Sequence, residues 1–519
     1  MIKGPPLKRG WLVGPIGYFS WSFVFAVIYG QSPLYTSNQY QYFLHGLARA
    51  GFGYLGNDWL ANTIDPLPIF SGIVFITFRL IQTCLPFYLY YALLMGVYLV
   101  GVLGIMDVVF DLGRVKTHRL MFLILFLTLH SAALRFLLSR VAGVADPFLL
   151  EGGVAGQRLL GQVLQPSSFG VFLVLSIYLF LRRQPYLSLL SLAVAIYFHS
   201  IYLLSGALLV LGYMWVIWRE KRNVARALTL GVVALIIVSP SLIYTIYIFR
   251  PSSSHVITLV NDLLVHFRNP HHAIVSEWLD WMVAVKVAIV FVTLLIVRRT
   301  RLFPILGIVV LGSVLLTIIQ LITDSNWLAL IYPWRASVVL VPLSSCVVLA
   351  YSITKVLGFS KNHPSRLTRW TGTAALFVLT GLIIVGAARF QMETARQQAD
   401  KSRPMMEYVT GHKSPDDTYL VPTTMEDFRL ITGAPIFIDF KSVPYRDTDV
   451  LEWFERVRMA GWFYRDRVEG VDCDLLRRFR EEYTVTHVVL DEDLLGLSCP
   501  GLGEEMFRDE HYAVFRIDA

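Results

Sequence analysis

"CLPFYLYYALLMGVYLVGVLGIMDVVF", residues 84–110, runs for 27 residues with a single charge, Asp107. A helix of that length reaches about 40 Å, more than the ~30 Å hydrocarbon core of a bilayer. The connector that follows, "DLGRVKTHR" (111–119), brings Arg114, Lys116 and Arg119. This alternation of apolar run and basic connector recurs along the chain and decides the class: a helical membrane protein.

The composition agrees. Of 519 residues, 55% are hydrophobic and 16% charged, where a soluble chain carries about a quarter charged. The mean hydropathy is +0.58. The net charge of +8 sits in short connectors: Lys3, Lys8 and Arg9; 114–119; Arg182 and Arg183; Arg219, Lys221, Arg222 and Arg226; Arg298, Arg299 and Arg301; Lys355, Lys361, Arg366 and Arg369. Lys and Arg resist translocation, so the excess reports topology and gives no support for nucleic acid as a partner.

With every basic connector on the cytoplasmic side, spans fall near 11–30, 84–110, 119–138, 168–182, 186–200, 203–218, 226–248, 281–297, 303–323, 335–354 and 371–389. That is about 11 spans, N-terminus inside and C-terminus outside; a twelve-span threading stays open. The first run, from Trp11, lacks a small-residue cleavage pattern and is read as an anchor. Residues 67–83 are read as an interfacial or re-entrant helix, because a crossing there would put 111–119 outside.

Four outer loops follow from this threading: 31–83, 139–167, 249–280 and 324–334. Two hold amphipathic patterns expected to lie as helices in the headgroup plane. In the first, Tyr40, Phe43, Leu44 and Leu47 oppose Gln41, His45 and Arg49. In the second, Leu159, Leu160, Val163 and Leu164 oppose Arg158, Gln162 and Gln165. From about residue 391 charge becomes frequent, and short apolar runs alternate with amphipathic ones. The expected fold is therefore mainly α: a polytopic helical domain over 1–390 and an extracytoplasmic α/β domain with a partly parallel sheet over 391–519. Cys473 and Cys499 both fall in that second part, where a disulfide is chemically allowed.

The outer loops supply the candidates for chemistry. Asn38, Gln39, Asp58 and Asp65 occupy the first. A carboxylate there reads either as a general base or divalent-cation ligand, or as the cap of a turn, Asp58 in "GNDWL" and Asn38 before the amphipathic stretch. The third loop, "HFRNPHHAIVSEWLDW" (266–281), collects Arg268, His271, His272, Glu277 and Asp280. These suit a phosphate or substrate contact; adjacent histidines are a poor chelating spacing, so no metal ligand is assigned. Arg335, in "YPWRASVVL", opens a span where a guanidinium suits a lipid phosphate, or snorkels to the interface. His130, Arg135, His199 and Lys286 lie in or beside apolar runs, where charge is expensive. In the last part Arg429, Asp439, Lys441, Glu452 and Arg456 form either a ligand surface or internal ion pairs.

One span, a long outer loop ending in "DPLPIFS" (65–71), many further spans with "HHAIVSEW" (271–278) and Arg335, and a C-terminal outer domain: this layout resembles the GT-C glycosyltransferase superfamily. With "FRLITGAP" (428–435) and "IDFKSVPY" (438–445) it is similar to uncharacterised bacterial members grouped with it. The resemblance implies a transferase of the bacterial inner membrane. It would take a sugar from a polyprenyl-phosphate donor on the outer face, pass it to a glycan or lipid acceptor, and possess a divalent cation in some members. It also implies an acid early in the first outer loop. This chain has Asn38 and Gln39 there, and amides cannot take a proton, so the role passes to Asp58, with Asp65 beside it. The rival is a non-catalytic lipid-linked-glycan transporter or envelope-assembly protein on the same fold.

Overall fold

The computed structural model describes residues 14–358, 364–465, 473–496 and 499–518. Lys3, Lys8, Arg9 and Lys361 of the basic pattern, and the start of the first run at Trp11, lie outside them. The chain forms two compact units. One takes in the chain up to Gln31, Phe87–Tyr244 and Asn261–Gln391; the other takes in Ser32–Pro86, Thr245–Val260 and everything from Met392. The second unit thus joins the first loop and 245–260 to the C-terminal part of the chain.

The first unit is helical, and each apolar run forms a helix. Six described helices are long and apolar enough to cross a membrane, or seven with the bent pair Lys116–Leu129 and Ala132–Val141 taken as one span. Shorter apolar helices include Pro15–Tyr29, Pro166–Leu181, Pro185–Phe198 and Trp281–Val297. Their outward faces are apolar: helix Val224–Ile248 exposes Leu228, Val232, Leu235, Ile236, Ile243 and Ile246. Such a surface is a liability in water and neutral in lipid. Pro240 and Pro342 sit inside helices, as spans tolerate.

The second amphipathic expectation fails. Residues 151–165 are irregular. Leu159, Leu160, Val163 and Leu164 are buried, but Gly152, Gly153, Gly156 and Gly161 deny the segment a helix. Distant tyrosines satisfy its carbonyls instead: Tyr29 donates to Leu160 O at 2.7 Å and Tyr91 to Gly161 O.

The second unit carries a four-stranded sheet: β1 (Tyr419–Leu420), β2 (His487–Asp491), β3 (Leu502–Arg508) and β4 (Tyr512–Ile517), in the order β1-β2-β4-β3. β1 runs parallel to β2; β4 is antiparallel to β2 and β3. Helices Phe428–Thr432, Asp447–Arg465 and Asp474–Tyr483 fill the long crossover from β1 to β2. Val489 and Val514 of the sheet pack with Met405, Met406, Phe428 and Ile436 in one core. Cys473 and Cys499 are disulfide-bonded.

The first loop is built into this unit. Helices Gln39–Tyr42 and Leu44–Ala50 bury Phe43, Leu44 and Leu47 against helix Pro68–Ile81, where Phe43 meets Phe70 edge-on at 5.6 Å. His45, expected on the wet face, is also buried, so the stretch is packed on both sides rather than laid on a surface. Helix Pro68–Ile81 has 14 residues, about 21 Å, short of a bilayer core. It exposes Ile76, Leu80 and Ile81. Gly53 and Gly433, both at positive φ, touch backbone to backbone, and Tyr54 N donates to Gly433 O at 2.8 Å. A side chain on Gly53 would collide with Gly433, so glycine is required there.

Candidate functional site

Asp58 ends up at the centre of the second unit, fully buried. Its Oδ1 accepts from Leu60 N at 2.9 Å and Ala61 N at 3.3 Å. Its Oδ2 accepts from Arg429 Nε at 2.7 Å and Ile436 N at 3.1 Å. Arg429, itself 1% exposed, also bonds Asp439. Burial opposes a buried guanidinium's charge, but the two carboxylates outweigh it and raise the Arg429 pKa. All four acceptor directions of Asp58 are engaged, so it caps and pins rather than abstracting protons. The same network settles the reading of the C-terminal charges: Arg429 and Asp439 pair internally, and so do Arg456 and Glu452 at 2.8 Å.

Asp65 differs. Its Oδ1 accepts from Leu67 N at 3.0 Å and Ser71 Oγ at 3.1 Å, while Oδ2 faces the exposed Arg49 at 3.0 Å. It lines a crevice of about 10 Å³ with Gln41, His45, Ser71 and Tyr445, room for about one water. Gln41 Nε2 donates to Val443 O at 3.2 Å and Tyr445 Oη at 3.1 Å. His45 Nδ1 donates to Ala61 O at 3.2 Å, and burial, against the pull of Asp65, lowers its pKa. Neither amide expected at the head of the loop reaches this crevice. Gln39 is buried and accepts from Thr36 N at 3.1 Å, and the Asn38 side chain does not cap its helix.

A second group lies in the helical unit. Arg335 sits in the turn Pro333–Ala336, just before helix Ser337–Gly358. Its guanidinium stacks over Tyr202 at 5.6 Å, and its buried Nε has no hydrogen-bond partner among the described residues. The neighbouring Trp334 Nε1 is likewise buried and unpartnered among them. His272 Nδ1 donates to Ala155 O at 2.6 Å, and its ring stacks against His271 at 4.0 Å. Burial, then His271, Arg335 and Arg268, push the His272 pKa down to about 3, so the ring is neutral at pH 7. These four groups therefore share one electrostatic neighbourhood. Glu277 is exposed on helix Val275–Trp278, and Asp280 caps Trp281–Val297 through Val283 N at 2.8 Å.

The remaining ionisable residues of the apolar runs are pins. Arg135 is buried, bonds Glu151 at 2.8 Å and Tyr29 O, and stacks on the Tyr29 ring at 4.2 Å. Lys286 Nζ bonds Asp146 at 2.6 Å and Gly153 O at 2.7 Å. His130 bridges Phe126 O at 2.9 Å and Tyr98 Oη at 3.1 Å. His199 is buried against Tyr202. No group of three or more His, Cys, Asp or Glu side chains gathers to hold a metal ion among the described residues. Sequence reasoning missed His45 as the companion of Asp65, although His45 follows Gln41 by one helical turn. It also missed Trp334, which only its place beside Arg335 signals.

The family described as "Domain of unknown function (DUF6798)" matches residues 400–460. Comparison with curated proteins finds no match. Among solved structures, ArnT from Cupriavidus metallidurans bound to undecaprenyl phosphate aligns over 96% of this chain and 97% of that one, with TM-score 0.50 and 12% identity. Oligosaccharyltransferase AglB from Archaeoglobus fulgidus, in complex with an inhibitory peptide and a dolichol-phosphate, aligns over 93% of this chain and 70% of that one, with TM-score 0.47 and 9% identity. The chain has a GT-C-like fold, as its spans and loops led us to expect.

Proposed function

We propose that the protein is a membrane glycosyltransferase that takes sugar from a polyprenyl-phosphate carrier and holds the carrier's phosphate at Arg335. The observation that carries this reading is the guanidinium itself: part-buried, with its Nε unpartnered among the described residues, beside a second orphan donor on Trp334. A buried donor without an acceptor is costly and asks for a ligand. The ArnT structure, bound to undecaprenyl phosphate, supplies the chemical class.

As the bond from the sugar to the carrier breaks, negative charge collects on the departing phosphate. Arg335 meets that charge with fixed N–H donors, and Arg268 and His271 add to the field. His272 is neutral and donates a hydrogen bond from Nδ1 to Ala155 O, so it positions the 266–281 loop rather than supplying charge. An acceptor hydroxyl needs a base, and Asp65 takes that role in this reading: it lines a water-sized crevice, and its partner Arg49 is half exposed. Gln41 and His45 order the water or hydroxyl beside it, and Glu277 contacts the substrate. The acceptor is a glycan or lipid at the outer face of a bacterial inner membrane. The disulfide Cys473–Cys499 supports an extracytoplasmic C-terminal part, since such bonds persist in oxidising compartments.

A second reading keeps the fold without turnover, as a transporter or assembly partner for lipid-linked glycan. The engagement of Asp58 in a structural network favours it. Native mass spectrometry of the purified protein with polyprenyl phosphate, alongside a transfer assay on envelope extract, separates the two. We expect an adduct that Arg335→Gln loses and Asp65→Asn keeps, with Asp65→Asn making no product. No adduct on the parent protein would end the carrier assignment, an adduct with no product from the parent would favour the second reading, and full transfer by Asp65→Asn would remove Asp65 as the base.

A further inference from the structure

Several basic connectors of the helical unit close around one cleft, of about 320 Å³, that has no part in the chemistry above. Arg183, Lys221, Arg226 and Arg301 line it, with Glu220 as its one acid and Tyr186 on its wall. Glu220 is already taken, because the Arg301 fork bonds both of its oxygens. Arg183 and Lys221 lie within electrostatic reach of the same carboxylate. Three cations are therefore left without a carboxylate at ion-pairing distance among the described residues, and all three are exposed. Three helices begin at this place, at Pro185, Val224 and Leu302, and two end there, at Leu181 and Lys221, so the helix dipoles largely offset and the side-chain cations set the field. Asn223 Oδ1 caps the second of them through Arg226 N at 2.9 Å.

Scattered basic residues at helix ends need no ligand, since the positive-inside bias accounts for them. Convergence on a concave site is different. Like charges brought together cost free energy unless an anion joins them. The helices that border the cleft also expose Leu187, Leu190, Val224 and Leu228 next to the cleft residues in sequence, a surface made for acyl chains. We propose that this cleft binds the phosphate-bearing headgroup of an anionic glycerophospholipid, whose chains lie along those leucines. Basic pockets between the ends of membrane helices recognise acidic headgroups in this way.

The test uses the full chain, delipidated in neutral detergent, with phosphatidylglycerol, phosphatidylcholine or inorganic phosphate added. Retained lipid is read by native mass spectrometry and the unfolding midpoint by fluorescence. We expect phosphatidylglycerol to be retained and to raise the midpoint, and phosphatidylcholine to do neither. Arg183→Gln with Arg226→Gln should cut retention about tenfold or more, one charge-assisted contact being about 1.5 kcal/mol. Arg298→Gln with Arg299→Gln, outside the cleft, should retain lipid as the parent does. Glu220→Gln frees Arg301 and should increase retention, a gain that a misfolded variant cannot mimic. Equal loss in the two arginine pairs would overturn the proposal in favour of diffuse charge. An equal midpoint shift with inorganic phosphate would overturn the lipid assignment in favour of a free anion.

Discussion

Replacing Asp58 by Asn separates a strut from a base. In the parent, Oδ2 accepts hydrogen bonds from Arg429 Nε at 2.7 Å and Ile436 N at 3.1 Å, in a place without solvent access. The asparagine oxygen can keep the Leu60 and Ala61 bonds, but its NH₂ then points at two N–H donors. Arg429 is left buried with Asp439 as its one carboxylate. Removing one partner from a buried charge network costs about 3–5 kcal/mol. For a unit of this size that lowers an unfolding midpoint by roughly 6–20 °C. Asp65→Asn is the control: its ionic partner Arg49 is half exposed, and the asparagine oxygen can keep the Leu67 and Ser71 bonds, so a smaller loss than at Asp58 is expected. Thermal unfolding of the detergent-solubilised chain, followed by tryptophan fluorescence, reads both. An Asp58→Asn protein within about 1 kcal/mol of the parent that nonetheless makes no product would refute the strut argument and restore Asp58 as base.

Three further outcomes are expected. Arg335→Gln should weaken polyprenyl-phosphate binding roughly tenfold to a hundredfold, about 1.5–3 kcal/mol for a charge-assisted contact, while His272→Gln weakens it far less; titration by native mass spectrometry compares them. Because the His272 pKa falls to about 3 in the folded chain, below an unfolded value of about 6.5, the unfolded state binds the extra proton first. The stabilisation is complete above about pH 6.5 and is lost as pH falls toward 3, by up to about 1.4 kcal/mol per unit, so unfolding midpoints of His272→Gln between pH 7 and 5 should decline less than the parent's. Cys473→Ser with Cys499→Ser opens a loop of 26 residues and should cost about 3–4 kcal/mol, seen as a lower midpoint that reductant reproduces in the parent.

What could be read from the chain follows the range of the interactions involved. The helices were legible because an apolar run of spanning length is a local property that lipid enforces by itself. The place of Arg335 before a long apolar helix was legible for the same reason, since a charge at the mouth of a span is conspicuous wherever the fold sends it. Asp58 was legible only as the cap of its turn, because the rest of its meaning depends on Arg429, 371 residues away. Nothing near "GNDWL" announces a guanidinium. The second amphipathic pattern misled because periodicity counts apolar residues and ignores backbone freedom. With glycines at 152, 153, 156 and 161, the leucines found burial in an irregular chain, and Tyr29 and Tyr91 supplied the missing donors.

The two acids of the first loop show how burial assigns roles that composition leaves equal. Both are aspartates that accept from the backbone N–H two residues on, Leu60 for Asp58 and Leu67 for Asp65. Both also face an arginine. The difference lies in the arginine. Arg429 is enclosed and cannot leave, because departure would bury bare carboxylates on Asp58 and Asp439. Arg49 is half exposed, so water can solvate it at little cost when a substrate group approaches Asp65. A base must be able to exchange its partner for a proton, and of the two only Asp65 meets that condition. In the proposed reading the first loop thus contributes one acid to the frame and offers the other to chemistry, and the amides at Asn38 and Gln39 do not by themselves argue against transfer.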